Sequence, residues 1–451
     1  MVVTPDQAFE GEVLVVGDTI QCVAASCSGS PGAPTSTIVD TKGIILPGLI
    51  DTHNHILFDV FDETHWSPTK TYANHNQWGA EPRYSAMVDA KQYLNGEAKS
   101  PINLNCELNK YGELKGLIAG TTSIAGAGTP PSDKACYGTI ARTIDQKPNG
   151  LPADKVQMGT LFPNQKSADG VCTNFTSGKT DAYLIHVAEG VDATALNEFT
   201  KLGTVTTTDG CLYHPKTTIV HGTALGDAEL TTMATQGMNL VWSPRSNVFL
   251  YGGGTDLTKT TNVKLALEKG INVSIAPDWS LGGSQNILDE VRFADHVDST
   301  QWNDVISKKA LLEMVTINAA KTLGLGDVLG SLTVGKKADL VVLDGDPNKP
   351  YDALLEATPN KVRLVLVNGV PLYGDAILGP VAQTSPACEN LAICDRCKFL
   401  CVAQDGGLPT DKLGQTYAEI ADALAAGIEG YDALKLTAWS FAPLTPLVRC
   451  F

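Results

Sequence analysis

The chain has 451 residues, 43% of them hydrophobic and 18% charged, with a formal net charge of −16. That composition belongs to a globular protein with a sizeable core, and the length allows two or three domains, although one α/β barrel often takes about 250 residues as a single unit. An acidic chain with no Lys/Arg run argues against nucleic acid or anionic membrane as a partner, and no apolar run approaches the roughly 20 residues that span a bilayer.

In chain order, Gly11–Ile20 reads as two short strands around a Gly-Asp turn. Ser26–Ser36, rich in Gly, Pro and Ser, reads as a loop, and Thr37–Leu46 as a strand leading into Pro47-Gly-Leu-Ile-Asp-Thr-His53-Asn-His55. From there to about Gly326, short apolar runs alternate with helical stretches, the pattern of parallel βα units. Gly120–Ile124 reads as the second strand of that series. Residues 125 to 180 are turn-rich, with third and fourth strands expected near Gly138–Ile144 and Val156–Phe162. Gly252–Gly254 lacks any phosphate-loop context and reads as a loop. Ala338–Leu343 and Val362–Gly369 are again strands, the second ending in an Asn-Gly hairpin turn. After about residue 380 comes a cysteine-rich tail in which Tyr417, Ile420, Leu424 and Ile428 recur at helical spacing.

The chain has eleven cysteines. They fall in local groups: Cys22 with Cys27, Cys106 with Cys136, Cys172 with Cys211, then Cys388, Cys394, Cys397, Cys401 and Cys450. The last group fits no regular zinc-knuckle spacing. Disulfides are the expectation, and with them a secreted or periplasmic location, the abrupt Met1-Val-Val-Thr-Pro start being that of a chain whose signal has been removed. A cytoplasmic protein with reduced, buried cysteines is the alternative.

The chemistry is carried by histidines at strand ends. Residues i and i+2 of a strand point to the same side, so His53 and His55 can converge on one metal ion. His186 in Tyr-Leu-Ile-His-Val-Ala-Glu189, His221 in Thr-Ile-Val-His-Gly, and Asp278 in Val-Ser-Ile-Ala-Pro-Asp each close a short aliphatic run, where a barrel strand would deliver them. This constellation is that of a metal-dependent hydrolase. His65 and His75 lie in an aromatic-rich insertion, Thr64 to Trp78, just after the first histidine pair. Loops at that end of a barrel build the substrate pocket, so Trp66, His75 and Trp78 are candidates to stack on a planar substrate, with loop packing as the alternative. His214 and His296 read as structural.

The ordered set also resembles a known family. Pro-Gly-Leu-Ile-Asp-Thr-His-x-His, His186-Val-Ala-Glu189, His221-Gly, Ser243-Pro-Arg-Ser-Asn247, Asp278 and Gly330-Ser-Leu-x-Val-Gly-Lys-Lys-Ala-Asp-Leu340 look like the amidohydrolase superfamily. The branch they resemble holds the cytosine, guanine and adenosylhomocysteine deaminases and the triazine chlorohydrolases. The resemblance runs from about residue 10 to about residue 375. It implies a (β/α)8 TIM barrel, distorted in its third and fourth units, over residues 48–325. A small β-sandwich would come from residues 1–47 and 326–380, leaving 381–451 as a cysteine-rich extension.

The resemblance also implies roles. One divalent ion, Zn2+ with Fe2+ or Mn2+ as alternatives, would be held by His53, His55, His186 and Asp278. Glu189 would shuttle a proton from the attacking water to a ring nitrogen and the leaving group. His221 would polarise the substrate or the attacking oxygen. In a two-metal enzyme it would instead bind a second ion, bridged by a carboxylated Lys or a Glu from the fourth strand, with Lys155 and Lys166 as bridging candidates. Arg245 and Asn247 are expected polar contacts to substrate. Where the family has Thr-Asp-Gly this chain has Pro277-Asp-Trp279, so Trp279 would reshape the pocket. The expected activity is hydrolysis of a C–N bond, other than a peptide bond, in a small planar compound. Deamination leads, with amide or ring-opening hydrolysis second; a catalytically silent binding protein on the same fold is the reading from another class.

Overall fold

The computed structural model describes residues 1–97, 99–126, 140–145, 151, 155–382, 388–403 and 414–450. Its centre is a series of short parallel strands in two sheets. β1 (Leu49–Asp51) pairs with β2 (Thr121–Ile124), and β2 with β3 (Arg142–Thr143). β4 (Val156–Gly159), β5 (Ala182–Val187), β6 (Thr217–His221), β7 (Asn239–Trp242) and β8 (Val273–Ile275) pair in chain order in the second sheet. The two sheets meet where β1 and β8 run on. Asn54 bridges Asp278 in parallel, His55 N–H donates to the Asp278 carbonyl at 2.6 Å, and Asp278 N–H to the His53 carbonyl at 3.2 Å.

Every residue of β5 and β6 is buried, as expected of parallel strands covered on both faces. Alternation sorts the side chains. Ile50, Ala182, Leu184, Val220, Val241 and Ala276 form one inner cluster, while Tyr183, Ile185, Val187, Ile219, Leu240 and Trp242 join the larger core. His186 continues the inward series from Ala182 and Leu184 at the end of its strand. His221, by strict alternation, falls with Ile219 on the other side. It adopts φ 65° instead, a left-handed conformation uncommon for a residue with a Cβ, and this turn at the strand end brings its ring to the inner side.

Segments before and after these strands share one eight-stranded sheet. Leu340–Leu343 lies between Ile44–Pro47 and Val362–Val367, with Val2–Val3 beyond on one side and Val370–Asp375 on the other. Asn368 and Gly369 both have positive φ, 53° and 75°, which is what a two-residue hairpin turn needs. Glu12–Val16 and Thr19–Ala24 form a separate hairpin around Gly17-Asp18. The strand expected over Thr37–Leu46 is confined to Ile44–Pro47. Among the described residues, 37–43 have no strand partner, Ile38 is 93% exposed and Lys42 has φ 45°.

The tail is tied to the body at several points. Its hairpin, Glu389–Ile393 and Arg396–Leu400, extends the flanking sheet beside Val370–Asp375. Helix Tyr417–Ala433 buries Ile420, Leu424, Gly427, Ile428 and Tyr431 against helices Pro82–Leu94 and Asn105–Leu117, as the spacing predicted. Disulfides join Cys22–Cys27, Cys172–Cys211, Cys388–Cys401 and Cys394–Cys450, and Cys397 is an exposed free thiol. Cys136 and the first residues of the expected third strand, Gly138 and Thr139, lie outside the described residues. Among the described residues, no helix is long and apolar enough to cross a membrane.

Candidate metal centre and active site

The ends of β1, β5, β6 and β8 deliver buried donors to one place. One ligand-capable atom from each of His53, His186, His221 and Asp278 lies within 4.8 Å of all the others. Asp278 Oδ1 is 2.9 Å from His53 Nε2 and 3.4 Å from His55 Nε2, so His55 stands beside the group, against the same carboxylate oxygen. The other oxygen, Oδ2, accepts from Ser246 Oγ at 2.6 Å. Asp278 itself has φ 70°. Two left-handed residues with side chains at one site are the kind of backbone strain that accompanies function.

The electrostatics suit a cation. Burial, reinforced by the neighbouring histidines, pushes His53 well below the ordinary imidazole range, and burial likewise lowers His55 to about 3 and lowers His186. Neutral imidazoles keep a lone pair for a metal. His53 Nδ1 is buried with no hydrogen-bond partner. His186 Nδ1 faces the Gly159 carbonyl at 3.1 Å; donating there fixes the tautomer and leaves Nε2 as the ligating atom. Three imidazoles and a carboxylate at this spacing, with His55 adjoining, fit a divalent transition ion.

His221 is oriented differently. Asn247 Nδ2 lies 3.1 Å from its Nδ1. Thr260 accepts the Trp242 indole N–H and donates to Asn247 Oδ1 at 3.3 Å, and Thr261 Oγ1 also lies 3.3 Å from that oxygen. With its oxygen committed to hydroxyls, the Asn247 amide donates to Nδ1, so the His221 proton sits on Nε2. That nitrogen faces Glu189 Oε2 at 4.0 Å.

Glu189 is buried among partners. Tyr251 donates to Oε1 at 2.8 Å, and His75 Nδ1 lies 3.4 Å from Oε2. Burial raises this carboxyl, but His221, His75 and His186 outweigh it and hold the group below the usual carboxylate range. His75 Nε2 in turn meets Glu198 Oε1 at 2.6 Å. Burial lowers His75, yet its two carboxylates prevail and lift it to about 10.

The remaining expected contacts fall into two groups. Trp66, Trp78, Tyr84 and Trp279 form an aromatic cluster with ring centroids 4.9 to 6.5 Å apart, and Trp279 reaches His55 at 5.6 Å. Trp66 is fully buried there and donates to Glu81, whereas Trp78 is only half-buried. Among the described residues, the buried Trp279 Nε1 has no acceptor. Arg245 turns away: its guanidinium covers the Phe293 ring at 4.5 Å and its backbone N–H caps Glu290.

Lys155 sits at the opening of β4, paired with Asp181 at 3.1 Å, and Lys166 is exposed on helix Gln165–Thr176. Neither is at the cluster. His65 bonds the Phe441 carbonyl, His214 stacks on Phe175, and His296 ends helix Ile287–Val297, so all three are structural. Sequence reasoning missed Tyr251, Glu198 and the part played by Ser246. Tyr251 lies four residues after Asn247 on helix Pro244–Tyr251, so helical spacing was an available signal for it.

Residues 176–372 match the amidohydrolase family. The chain is 23% identical over 410 residues to a 5'-deoxyadenosine deaminase of Methanococcoides burtonii, covering 82% of this chain and 89% of that one. It is 25% identical over 396 residues to a 5-methylthioadenosine/S-adenosylhomocysteine deaminase of Thermoanaerobacter pseudethanolicus, covering 79% and 87%. Among solved structures, atrazine chlorohydrolase from Arthrobacter aurescens TC1 complexed with zinc superposes with a TM-score of 0.60 at 17% identity, over 82% of this chain and 93% of that one. The resemblance read from the motifs is borne out, and these neighbours imply an α/β fold of the TIM-barrel type.

Proposed function

We propose, from the match of residues 176–372 to the amidohydrolase family and from the deaminase relatives, that this chain is a metal-dependent hydrolase of that superfamily, a deaminase that uses one metal ion and acts on an amino-substituted heteroaromatic ring. The strands would close as a (β/α)8 barrel, with the flanking sheet and hairpin as its small sandwich. His53, His55, His186 and Asp278 would hold the ion, zinc being favoured by the imidazole-rich donor set. When bound, such an ion supplies a water acidified toward neutral pH.

The observation that carries the reading is the placement of Glu189. Its carboxylate lies beside the donor cluster but is held by Tyr251, His75 and His221 rather than by the ligand set. It is therefore free to move protons. The His221 Nε2–H, fixed by Asn247, can donate to the attacking oxygen and hold it in place as it adds to the amidine-like carbon. Glu189 or Asp278 takes the proton released by that water. Glu189 passes that first proton to the ring nitrogen; the proton left on the added hydroxyl, taken in turn by Asp278 or Glu189, goes to the amine as the carbonyl forms and the C–N bond breaks, releasing ammonia. Trp78 and Trp279 supply flat walls for a planar ring, and the unpartnered Trp279 N–H is a donor for a ring or exocyclic acceptor. Two-metal chemistry bridged by Lys155 or Lys166 finds no support in where those side chains lie.

The relatives' printed activities make 6-aminopurine nucleosides the first substrates to try, followed by free bases, pyrimidines, triazines and ureas. Ammonia release from a nucleoside or base with the zinc-loaded protein is the expected result. Release of carboxylate from cyclic amides, with no ammonia from any aminopurine, would move the activity to amide hydrolysis. We also infer, from disulfides such as Cys22–Cys27, Cys172–Cys211, Cys388–Cys401 and Cys394–Cys450, that the protein works in an oxidising compartment, secreted or periplasmic.

A further inference from the structure

We propose that His75 is a positioning residue for Glu189: the insertion segment 73–75 docks on the loop after β5 and wedges its imidazole between Glu189 and Glu198, so the carboxylate that moves protons is held in one orientation. The proposal rests on the role given to Glu189 above.

Backbone contacts make the dock. Asn74 forms an antiparallel bridge with Gly190. His75 N–H donates to the Glu189 carbonyl at 3.1 Å and Val191 N–H to the Ala73 carbonyl at 2.7 Å. Asn74 Nδ2 adds a bond to Asp192 at 2.8 Å. The approach is so close that a Cβ on Gly190 would stand 2.5 Å from the Ala73 carbonyl oxygen and 2.7 Å from the Asn74 Cα. Backbone cannot yield that distance without moving the segment, so glycine is required here.

Side chains complete it. His75 faces Glu189 at 3.4 Å through Nδ1 and Glu198 at 2.6 Å through Nε2. Glu198, on helix Ala193–Leu202, is itself fixed by the Ala188 N–H at 2.9 Å. The Tyr251 hydroxyl donates to the other oxygen, Oε1, at 2.8 Å, and His221 Nε2 lies 4.0 Å from Oε2. With a partner at each oxygen the carboxylate is held in one orientation, and each ring nitrogen of His75 faces a carboxylate. An imidazole clasped by two acids is a poor stacking surface for substrate. Its work is on Glu189, and a loop outside the parallel strands thereby bears on the chemical step.

The test uses three variants of the zinc-loaded full chain: His75→Ala, Glu198→Gln and Gly190→Ala, the last leaving every polar side chain in place. With the best nucleoside of the panel, each should lower kcat about 10- to 100-fold, the scale of one charge-assisted hydrogen bond. KM should change less than about threefold, zinc content should hold, and added imidazole should restore part of the His75→Ala loss. Unchanged kcat in all three, or a rise in KM that accounts for the loss, would overturn the proposal. A readout independent of turnover is the ring 15N spectrum of histidine-labelled protein at about pH 8, where an ordinary imidazole is neutral. The His75 signal, identified by its disappearance in His75→Ala, should show both nitrogens protonated, and Glu198→Gln should remove one proton. A neutral ring in the wild type would refute the wedge. If no compound in the panel releases ammonia, the functional reading fails while the spectrum still decides this proposal.

Discussion

The strand-end cluster and the C-terminal tail are held by opposite means. At the cluster, His221 and Asp278 sit in left-handed conformations, and four buried acids and imidazoles are crowded within reach of one another. Such an arrangement lowers stability and is sustained by the surrounding packed strands. In the tail, a helix buries an aliphatic stripe, and disulfides close loops from Cys388 to Cys401 and from Cys394 to Cys450. One region spends folding free energy on chemistry and the other supplies it. Substitutions should therefore separate cleanly: activity lost without stability in the first, stability lost without chemistry in the second.

The largest expected effect is at Glu189. Glu189→Gln keeps the shape and the Tyr251 contact but cannot accept a proton, so turnover should fall about 10²- to 10⁴-fold. Metal analysis should still find about one ion per chain, because the side chain is no ligand. Loss of the ion in this variant would erase the distinction between proton carrier and donor set. Two ions per chain in the wild type would overturn the single-metal reading.

Next comes the tail helix. Leu424 is fully buried, so Leu424→Ala should destabilise the protein by about 2–5 kcal/mol, seen as a lower melting temperature. The metal content of the folded fraction should be unchanged, as should its ranking of substrates. A fully stable variant with altered substrate discrimination would mean that the tail belongs to the pocket.

How much of this was legible depends on whether a residue's role is local. His53, His55, His186, His221, Glu189 and Asp278 were readable because each ends an apolar run, and the strand order brings such ends together. The tail helix was readable from Ile420, Leu424 and Ile428 for the same reason: periodicity is local. Partnerships across the chain were not. His75 reads as one more aromatic in a Trp-rich insertion, and nothing near it announces Glu198, 123 positions away. Arg245 lies in a substrate-loop motif, but its fate depends on Phe293 and Glu290. β3 has only two residues, too short to carry any period. The resemblance narrowed the activity further than residue types alone, since the same donors serve amide hydrolysis as well as deamination.

The smallest expected effect lies where the two regions touch. Asp62, in the loop after the first histidines, accepts from Thr445 and Arg449 of the tail and from Thr64, with His65 Nδ1 3.1 Å from Oδ1. Tyr111 donates to the Thr445 carbonyl beside it. Burial raises the Asp62 carboxyl, but these hydrogen bonds outweigh it and hold the group well below the usual range. A depressed folded value means that the unfolded chain takes up the proton first, so the stabilisation is complete at neutral pH and is lost as pH falls below about 4. Asp62→Asn removes the charge but keeps one acceptor, and should cost about 1–3 kcal/mol at pH 7, the range for hydrogen bonds to a charged group. The cost should shrink as pH falls below about 4, because the unfolded wild-type chain then carries the proton while the folded group still holds its charge. Urea denaturation of both proteins at about pH 7 and about pH 3 measures this. Equal destabilisation at the two values would show that Asp62 serves by shape alone. A drop in turnover at neutral pH out of proportion to the stability loss would show that the join transmits to the site. The path is short, because Ser280 donates to the Phe61 carbonyl and to Asp59 two residues beyond Asp278.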